Sequence, residues 1–435
     1  MAQQPAIQYF RPYDQRGINV FETTKEDTVG YDGLKLRIGA GFTQGYQNLK
    51  HSNGINPTGL YEMGGGFPLA QANLNIDVQL YDGVRLNLVS YMSSHHHNEF
   101  WVKGGYLQVD KVTFLNSEFM DNLWKNLTLK VGHMEVNYGD AHFRRSDGGH
   151  TLQNPWIENN IIDEFTTEIG AELYWQKNGI IAMIAMTDGE IQGNVAAPSQ
   201  PEGAKRKPSI YGKLGFDKQL QDNLRVRLTG SFYSTGSSVN NTIFGGDRTG
   251  SNYQFVMDNA PVTVTGNYTS GRFNPGFRDN VTTFMFNPFL KFGGLEVFGT
   301  IEFAEGANQL ENGEGVNTDV NGDPVYAKPG NRKANQTAFD ALYRFGKNEK
   351  FYIGARYNAV SATVAQGITA ADPGIRYDVD IARTSFGGGW FITRNVLLKG
   401  EYVTQTYDGF PNTGPNNRFF EGKFNGFVIQ GAISF

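Results

Sequence analysis

The chain has no cysteine and no run of about 18 apolar residues. The first absence excludes a disulfide framework and thiolate metal sites, and the second excludes a transmembrane helix of ordinary length. Strong charge of one sign is also missing, because 38 basic residues face 43 acidic residues at a net charge of −5. The sequence therefore lacks the basic surface that nucleic-acid binding requires, and no nucleic-acid partner is expected.

The composition is instead rich in glycine and aromatic residues. It contains 54 Gly, 21 Tyr and 32 Phe, and its mean hydropathy is −0.43. These residue types favour strands, tight turns and interface belts over helices. The start, MAQQPAIQYF, has neither the basic nor the apolar region of a secretory signal, so we expect that any signal peptide has already been removed.

Segments of about ten residues with apolar and polar residues in alternation recur along the chain, and this period is typical of half-buried strands. No amphipathic helical period persists over a comparable length. Sixteen strands are predicted, at residues 34–44, 69–80, 84–93, 102–115, 127–137, 164–176, 180–188, 209–218, 223–234, 280–292, 295–305, 334–346, 351–361, 378–392, 396–406 and 423–435.

The two faces of these strands differ in charge. Leu224, Val226 and Leu228 share one face of the ninth strand, whereas Arg225 and Arg227 share the other. Charged residues recur on the polar face of most strands, which is too many for a dry core but suits a water-filled lumen. A register slip of one residue would turn both arginines toward lipid, at about 2–4 kcal/mol each near the bilayer midplane.

The sixth strand shows the same pattern. The stretch FTTEIGAELYW is expected to place Phe165, Ile169 and Leu173 on the lipid face, opposite Glu168 and Glu172 on the lumen face.

The connections alternate in length. Short turns rich in Gly, Asn and Asp alternate with long connections at 45–68, 138–163, 189–208, 235–279, 306–333, 362–377 and 407–422. Outer-membrane barrels have short periplasmic turns and long extracellular loops. The sequence therefore predicts an all-β fold, a transmembrane antiparallel β-barrel of 16 strands at 34–435, after a periplasmic N-terminal segment at 1–33.

The last strand ends the chain on an aromatic residue. Phe427, Ile429, Ile433 and Phe435 share its apolar face. This tail resembles the sorting signal of bacterial outer-membrane barrels, which their barrel assembly machinery reads. The resemblance implies the outer membrane of a Gram-negative bacterium, with the lipid bilayer and lipopolysaccharide as surroundings.

Strand count, loop pattern and the terminal Phe together make residues 34–435 resemble the 16-stranded outer-membrane porins. Among these, the phosphate-selective (O/P-like) porins of the Bacteroidota type are the most similar in pattern. The resemblance implies a homotrimer whose water-filled channel serves ion transport and passive diffusion of small polar solutes, without a cofactor or catalytic residues. Sixteen strands leave room for an aqueous channel, since barrel width grows with strand number.

A loop folded into the barrel would narrow such a channel, and the loop at 138–163 is the candidate. Both signs of charge in one loop would set a transverse field that orients polar solutes. The candidate constriction residues, in the loop or next to it, are Arg144, Arg145, Asp147, Glu158, Asp163 and Glu164. Two alternatives stay open: this loop packs outward on a neighbouring subunit, or the loop at 235–279 forms the constriction.

The predicted lumen wall carries slightly more basic than acidic residues, eleven against eight. This excess of three predicts at most a weak anion preference. The basic residues are Lys35, Arg37, Arg85, Lys130, Lys213, Arg225, Arg227, Arg344, Arg356, Arg383 and Lys399, and the acidic residues are Asp77, Asp110, Glu168, Glu172, Glu296, Glu302, Asp340 and Glu401.

Other motifs favour simpler interpretations. The histidines at 95–97 could bind a metal only if a loop made them converge, so a polar loop tip is favoured. The stretch DVNGD at 319–323 lacks the closing Glu of a calcium loop and is better explained as a turn. The remaining histidines have no Ser or Asp partner at a catalytic spacing, so an enzyme is not expected.

The main rival is an accessory or scaffold subunit of a larger outer-membrane assembly. The N-terminal segment motivates it, because Tyr9, Phe10, Tyr13 and Phe21 are unusual in a simple lead-in. This segment could dock a periplasmic partner, or it could plug or brace the lumen from below.

Overall fold

The computed structural model describes all residues except 1–3, 58, 69, 93–99, 147–149, 192–204, 247–251, 260–268, 312–316, 319–323, 326–329 and 369–373. Within the described part of the chain, no helix combines the length and the apolar character needed to cross a membrane.

Sixteen strands close into one antiparallel barrel, which confirms the predicted fold, and each predicted strand overlaps an observed one. Strands β12 and β13, Asn317–Thr318 and Pro324–Val325, form a separate pair outside the barrel. The barrel strands are β1 Lys35–Ser52, β2 Gln71–Tyr81, β3 Val84–Met92, β4 Trp101–Val109, β5 Leu127–Glu135, β6 Thr167–Lys177, β7 Ile180–Thr187, β8 Ser209–Gln221, β9 Leu224–Thr235, β10 Asn280–Phe292, β11 Leu295–Ala307, β14 Arg332–Phe345, β15 Phe351–Gln366, β16 Ile375–Thr393, β17 Val396–Asp408 and β18 Lys423–Ser434.

The first and last strands complete the cylinder. β1 and β18 pair from Gly41–Ser434 to Ser52–Lys423. Beyond this ladder, the Ala40 amide donates to the Phe435 carbonyl at 3.1 Å, and the Phe435 amide donates back at 3.1 Å. Each of the sixteen described barrel strands therefore has two neighbours, which removes the sheet edges that lipid cannot satisfy.

The connection from β4 to β5 differs from the prediction. The fourth strand was expected to reach residue 115, but β4 ends at Val109 and is followed by the helix α1, Glu118–Trp124. Ser117 caps this helix, because its hydroxyl accepts from the Met120 amide at 3.4 Å. Glu118 and Asp121 lie in the first turn, where carboxylates interact favourably with the helix dipole.

Apolar side chains face outward and charged side chains face inward, as predicted. Leu36, Leu228 and Phe427 are 51%, 55% and 61% exposed on the outer surface. Arg227 and Glu172, on the opposite faces of their strands, are 1% and 0% exposed. The outer surface is thus an apolar belt suited to lipid.

The facing prediction is wrong at Phe165. β6 begins at Thr167, so Phe165 precedes the alternating part of the strand and lies inside the barrel at 6% exposure. The cations of Lys103 and Arg145 lie over its ring, at 4.7 and 4.4 Å from the centroid. The alternation of outward and inward side chains does not apply to Phe165, because this residue lies in the loop before β6.

Three segments occupy the barrel interior. They are most of the N-terminal segment, of which residues 4–33 are described, and two loops, which we name L3 (136–166) and L5 (the described parts of 236–279). Each forms hydrogen bonds with side chains of the inner wall or with another of the three segments. The arrangement of these segments decides how much space remains for solutes.

Candidate pore interior

L3 crosses the interior and reaches the wall formed by β14 and β15. Asn358 accepts from the Ile161 amide at 2.6 Å, and Gln336 accepts from the Ile162 amide at 2.8 Å. Gln336 also donates to the Ile162 carbonyl at 2.9 Å. A buried loop without regular structure must satisfy its peptide groups elsewhere, and here the wall side chains do so.

A second contact fixes L3 to β17. The Lys399 ammonium donates to the carbonyls of Thr151, Asn154 and Trp156 at 2.9, 2.9 and 2.7 Å. The Trp156 indole N–H donates to Asp340 at 2.9 Å, and this Trp is 1% exposed. L3 therefore lies across the lumen with both its backbone and its largest side chain bound to the wall.

The predicted constriction residue Arg144 contributes to a buried charge network. It forms an ion pair with Glu296, which also accepts from Arg344 at 2.8 Å and from Asn19 at 2.7 Å. This network joins L3, the strands β11 and β14, and the N-terminal segment.

Arg145 and Asp163 form an ion pair within L3, and Tyr253 of L5 donates to the same carboxylate. L5 therefore packs on L3 inside the barrel. The predicted residue Asp147 lies outside the described residues.

Glu158 and Glu164 place two further carboxyl groups inside the barrel. Burial raises the pKa of Glu158 to about 7, with Arg383 opposing the shift and Glu401 reinforcing it. Burial raises the pKa of Glu164 well above its usual value, and the neighbouring Glu302 adds to the shift. The raised pKa values mean that burial favours the neutral form of both carboxyl groups, which needs no counter-ion.

The predicted lumen-wall residues lie on the inner face of the barrel, although their roles in conduction stay predictions. They are Lys35, Arg37, Asp77, Arg85, Glu168, Glu172, Lys213, Arg225, Arg227, Glu296, Glu302, Asp340, Arg344, Arg356, Arg383, Lys399 and Glu401. The proposed assembly residues Phe427, Ile429, Ile433 and Phe435 lie on the outer face, and their role also stays a prediction.

Asp140, which the sequence analysis did not single out, is central to the wall contacts of L3. It accepts from Lys213 at 2.9 Å, from Arg227 at 2.8 Å and from Thr229 at 2.8 Å. Burial alone would raise the pKa of Asp140, but Arg227 and Lys213 outweigh it and hold this pKa far below its usual value. The carboxylate is thus charged at neutral pH and fixes L3 to β8 and β9.

The N-terminal segment enters the barrel from the short-turn end. The Tyr13 hydroxyl donates to Asp77 at 2.7 Å. Glu22 forms ion pairs with Lys213 at 3.1 Å and with Arg227 at 2.8 Å, and these cations hold its pKa at about 2 against the effect of burial. The segment is therefore bound to opposite walls. Its assignment as a separate periplasmic unit stays a prediction.

A cavity of ≈ 190 Å³ remains between the N-terminal segment, the first part of L3 and the strands β2–β6. Charged and imidazole groups in its lining include Arg11, Glu22, Arg85, Lys103, Lys130, His133, Glu135, His142 and His150. Aromatic residues in its lining are Phe10, Tyr13, Phe21, Tyr106, Phe143 and Tyr174.

Sequence analysis missed most of this cavity. Simple alternation from Leu107 turns Lys103 toward lipid, but β4 and β3 shift register between Val89 and Ser90. This bulge turns Lys103 inward, into the cavity lining. Arg11 was missed because no strand pattern covers the N-terminal segment.

Within the described ranges, no group of three or more His, Asp or Glu residues is arranged to hold a metal ion. The histidines at 95–97 and the stretch 319–323 lie outside these ranges.

No protein-family model and no curated protein matches the chain. Solved structures do. The anion-selective porin from Comamonas acidovorans aligns over 92% of this chain and 100% of its own, at 10% identity and a TM-score of 0.51. The outer membrane channel DcaP of Acinetobacter baumannii aligns over 94% and 100%, at 9% identity and a TM-score of 0.49. The chain therefore shares the barrel fold of the Comamonas porin.

Proposed function

We propose that the protein is an outer-membrane channel of a Gram-negative bacterium that admits small polar solutes and ions by passive diffusion through a restricted passage. The observation that carries this proposal is the combination of an apolar outer belt, a charged inner wall and a cavity that persists beside L3. The proposed function is non-enzymatic. A homotrimer, contact with lipopolysaccharide and insertion by the barrel assembly machinery belong to the same proposal.

Two segments would narrow the passage. L3, including the predicted constriction at 138–163, closes the side facing β8–β17, and the N-terminal segment closes much of the short-turn end. The passage would therefore run along β2–β6, and the unit conductance should be small for a 16-stranded barrel.

Selectivity should be weak, in line with the small excess of basic residues on the wall. Lumen cations and anions neutralise each other in pairs such as Arg344–Glu296 and Arg356–Asp340. Reversal potentials in a salt gradient should show at most a weak anion preference, and a strong cation preference would contradict the proposal. Selectivity for phosphate in particular remains a hypothesis from resemblance.

Removal of residues 4–23 tests the passage directly. We expect stable barrels whose single-channel conductance in planar bilayers rises severalfold, because the deletion removes Tyr13, Asn19 and Glu22 from the lumen. Arg16→Gln is the matched control, since Arg16 is 58% exposed and should leave the conductance unchanged. Equal conductance with and without the segment would contradict its role in narrowing the channel.

A scaffold subunit is the second candidate, and the dense packing of three segments inside the barrel favours it. This candidate predicts barrels that stay closed to ions even after the deletion of 4–23 and that co-purify with fixed partners. Conducting channels from the purified full chain would exclude it.

A further inference from the structure

Arg11 lines the cavity and forms no ion pair with a described carboxylate. Its guanidinium donates to the carbonyls of Phe143 at 2.8 Å and Gly17 at 3.2 Å, and it contacts His150 at 3.3 Å. Of the carboxylates described, none lies within ion-pair distance of it, and none of the described groups accepts a hydrogen bond from its Nε. Burial lowers the pKa of Arg11 to about 10, and the nearby carboxylates of Glu135 and Glu22 oppose this shift.

A buried guanidinium without an ion-pair partner is costly unless an anion accompanies it. The two acids among the described lining residues act on Arg11 only from a distance, because their ion pairs are with other groups. Glu22 binds Lys213 and Arg227, and Glu135 binds His142 at 3.0 Å.

Two further cations add to the positive character of this space. Lys103 and Lys130 both line it, and Lys130 lies over the rings of Tyr106 and Tyr174 at 5.4 and 4.9 Å. The Lys130 ammonium lies 3.6 Å from a carboxylate oxygen of Glu172, which is a long ion pair, and a quarter of the Lys130 side chain is exposed. Because Arg11 has no ion-pair partner among the described carboxylates, this space favours an anion over a cation.

The size and walls of the cavity indicate what else such an anion should carry. A cavity of about 150 Å³ is known to accept benzene in another protein. This cavity is ≈ 190 Å³, and rings such as Phe10, Phe21 and Phe143 form much of its lining. Flat apolar surfaces gain from burial against aromatic rings, particularly in edge or offset contact.

We propose that this cavity is a binding site for a small aromatic anion, one ring bearing one acidic group, held by Arg11 and the surrounding rings. The proposal rests on the proposed function, because it makes such an anion a solute of the channel. A guanidinium pairs well with a planar acidic group, whereas an ammonium acts as a point charge.

The test is binding of benzoate to the purified full chain in detergent, measured by isothermal titration calorimetry. Benzyl alcohol and acetate are the comparison probes, since each lacks one of the two features. We expect benzoate to bind saturably and at least about tenfold more tightly than either of them.

Arg11→Gln should weaken benzoate binding by about tenfold or more, and Arg11→Lys should restore part of it. Arg16→Gln, in the same segment but outside the cavity lining, should bind benzoate as the parent does. Heat-modifiable mobility in gel electrophoresis shows that each variant is a folded barrel. If Arg11→Gln does not fold, the test is Arg11→Lys. This variant should bind benzoate more weakly than the parent, and equal binding by the two would overturn the inference.

Absence of saturable benzoate binding, equal binding of benzyl alcohol, or unchanged binding by a folded Arg11→Gln would overturn the inference. Conduction distinguishes it from the proposed function. Conducting channels that do not bind benzoate contradict the site alone, whereas barrels that bind benzoate but never conduct contradict the channel.

Discussion

The two sides of the barrel interior are built from the same residue types but differ in packing. On the packed side, β8–β17, Arg227, Glu296 and Lys399 are at most 2% exposed and meet L3 or the N-terminal segment. On the cavity side, β2–β6, the side chains of Lys130 and Glu135 remain 25% and 27% exposed. Inward-facing charged side chains can therefore either bind the loops inside the barrel or line a cavity.

The course of L3 explains the difference. The chain leaves β5 after Glu135 and crosses toward β14–β17, away from the strands that precede it. The ladder between β4 and β5 is also the shortest of the barrel, from Gly105–His133 to Val109–Leu129. Space therefore remains next to the point where the loop departs.

The largest effect on stability is expected at Asp140 on the packed side. Asp140→Ala leaves Lys213, Arg227 and Thr229 without their shared acceptor, and breaking a buried ionic network costs about 3–5 kcal/mol. Urea unfolding in lipid vesicles, followed by tryptophan fluorescence, measures this loss. Asp32→Ala is the surface control and should leave the unfolding midpoint unchanged. Equal midpoints for the two variants would contradict a stabilising role of Asp140 on the packed side.

Glu158 makes the packed side sensitive to pH. Its pKa of about 7 lies above its usual value of 4.5, so the folded state binds this proton more tightly than the unfolded state. Protonation of Glu158 therefore stabilises the folded state by at most about 3 kcal/mol. This stabilisation is complete below pH 4.5, declines as the pH rises toward 7 and is absent at higher pH. Glu158→Gln should flatten this part of the stability profile, and identical profiles for parent and variant would refute the assignment.

A smaller loss is expected from Trp156→Phe. The variant keeps an aromatic ring but removes the N–H that donates to Asp340 at 2.9 Å, at a cost of about 1–2 kcal/mol. Trp390→Phe on the outer surface, where Trp390 is 44% exposed, is the matched control. The same unfolding assay should rank Trp156→Phe below its control in stability. The opposite ranking would mean that L3 is not held by this residue.

The smallest change in stability is expected on the cavity side. Glu135→Gln removes a partly exposed carboxylate whose described partner is His142, so the cost should stay below about 1 kcal/mol. The channel should nevertheless shift toward anions, because one negative charge leaves the lining of the passage. Reversal potential measurements test this shift. An unchanged reversal potential together with a large loss of stability would place Glu135 in the packed network instead.

The barrel fold could be predicted from the sequence because the alternation of apolar and polar residues is visible within each strand. Apolar residues such as Leu228 alternate with charged residues such as Arg227, and the cost of exposing charge to lipid sets the register. The same rule failed at Phe165, where the strand had not begun, and missed Lys103, which a bulge turns inward.

The interior contacts were beyond the reach of such patterns. Lys399 binds three carbonyls of L3 that lie more than 240 residues earlier in the chain. Peptide groups carry no residue identity, so composition and spacing do not reveal them as partners. The aromatic residues of the N-terminal segment predicted a docking or bracing role. The ion pairs of Glu22 with the wall were not predicted, because a single acidic residue forms no periodic pattern.

The seating of the N-terminal segment places a condition on biogenesis. The Gln15 amide donates to the carbonyl of Arg394 at 2.9 Å, and Asn19 binds Glu296. These partners are synthesised long after residues 15 and 19, since translation proceeds from the N-terminus. The N-terminal segment consequently cannot complete these contacts before β11 and the turn after β16 have taken their positions.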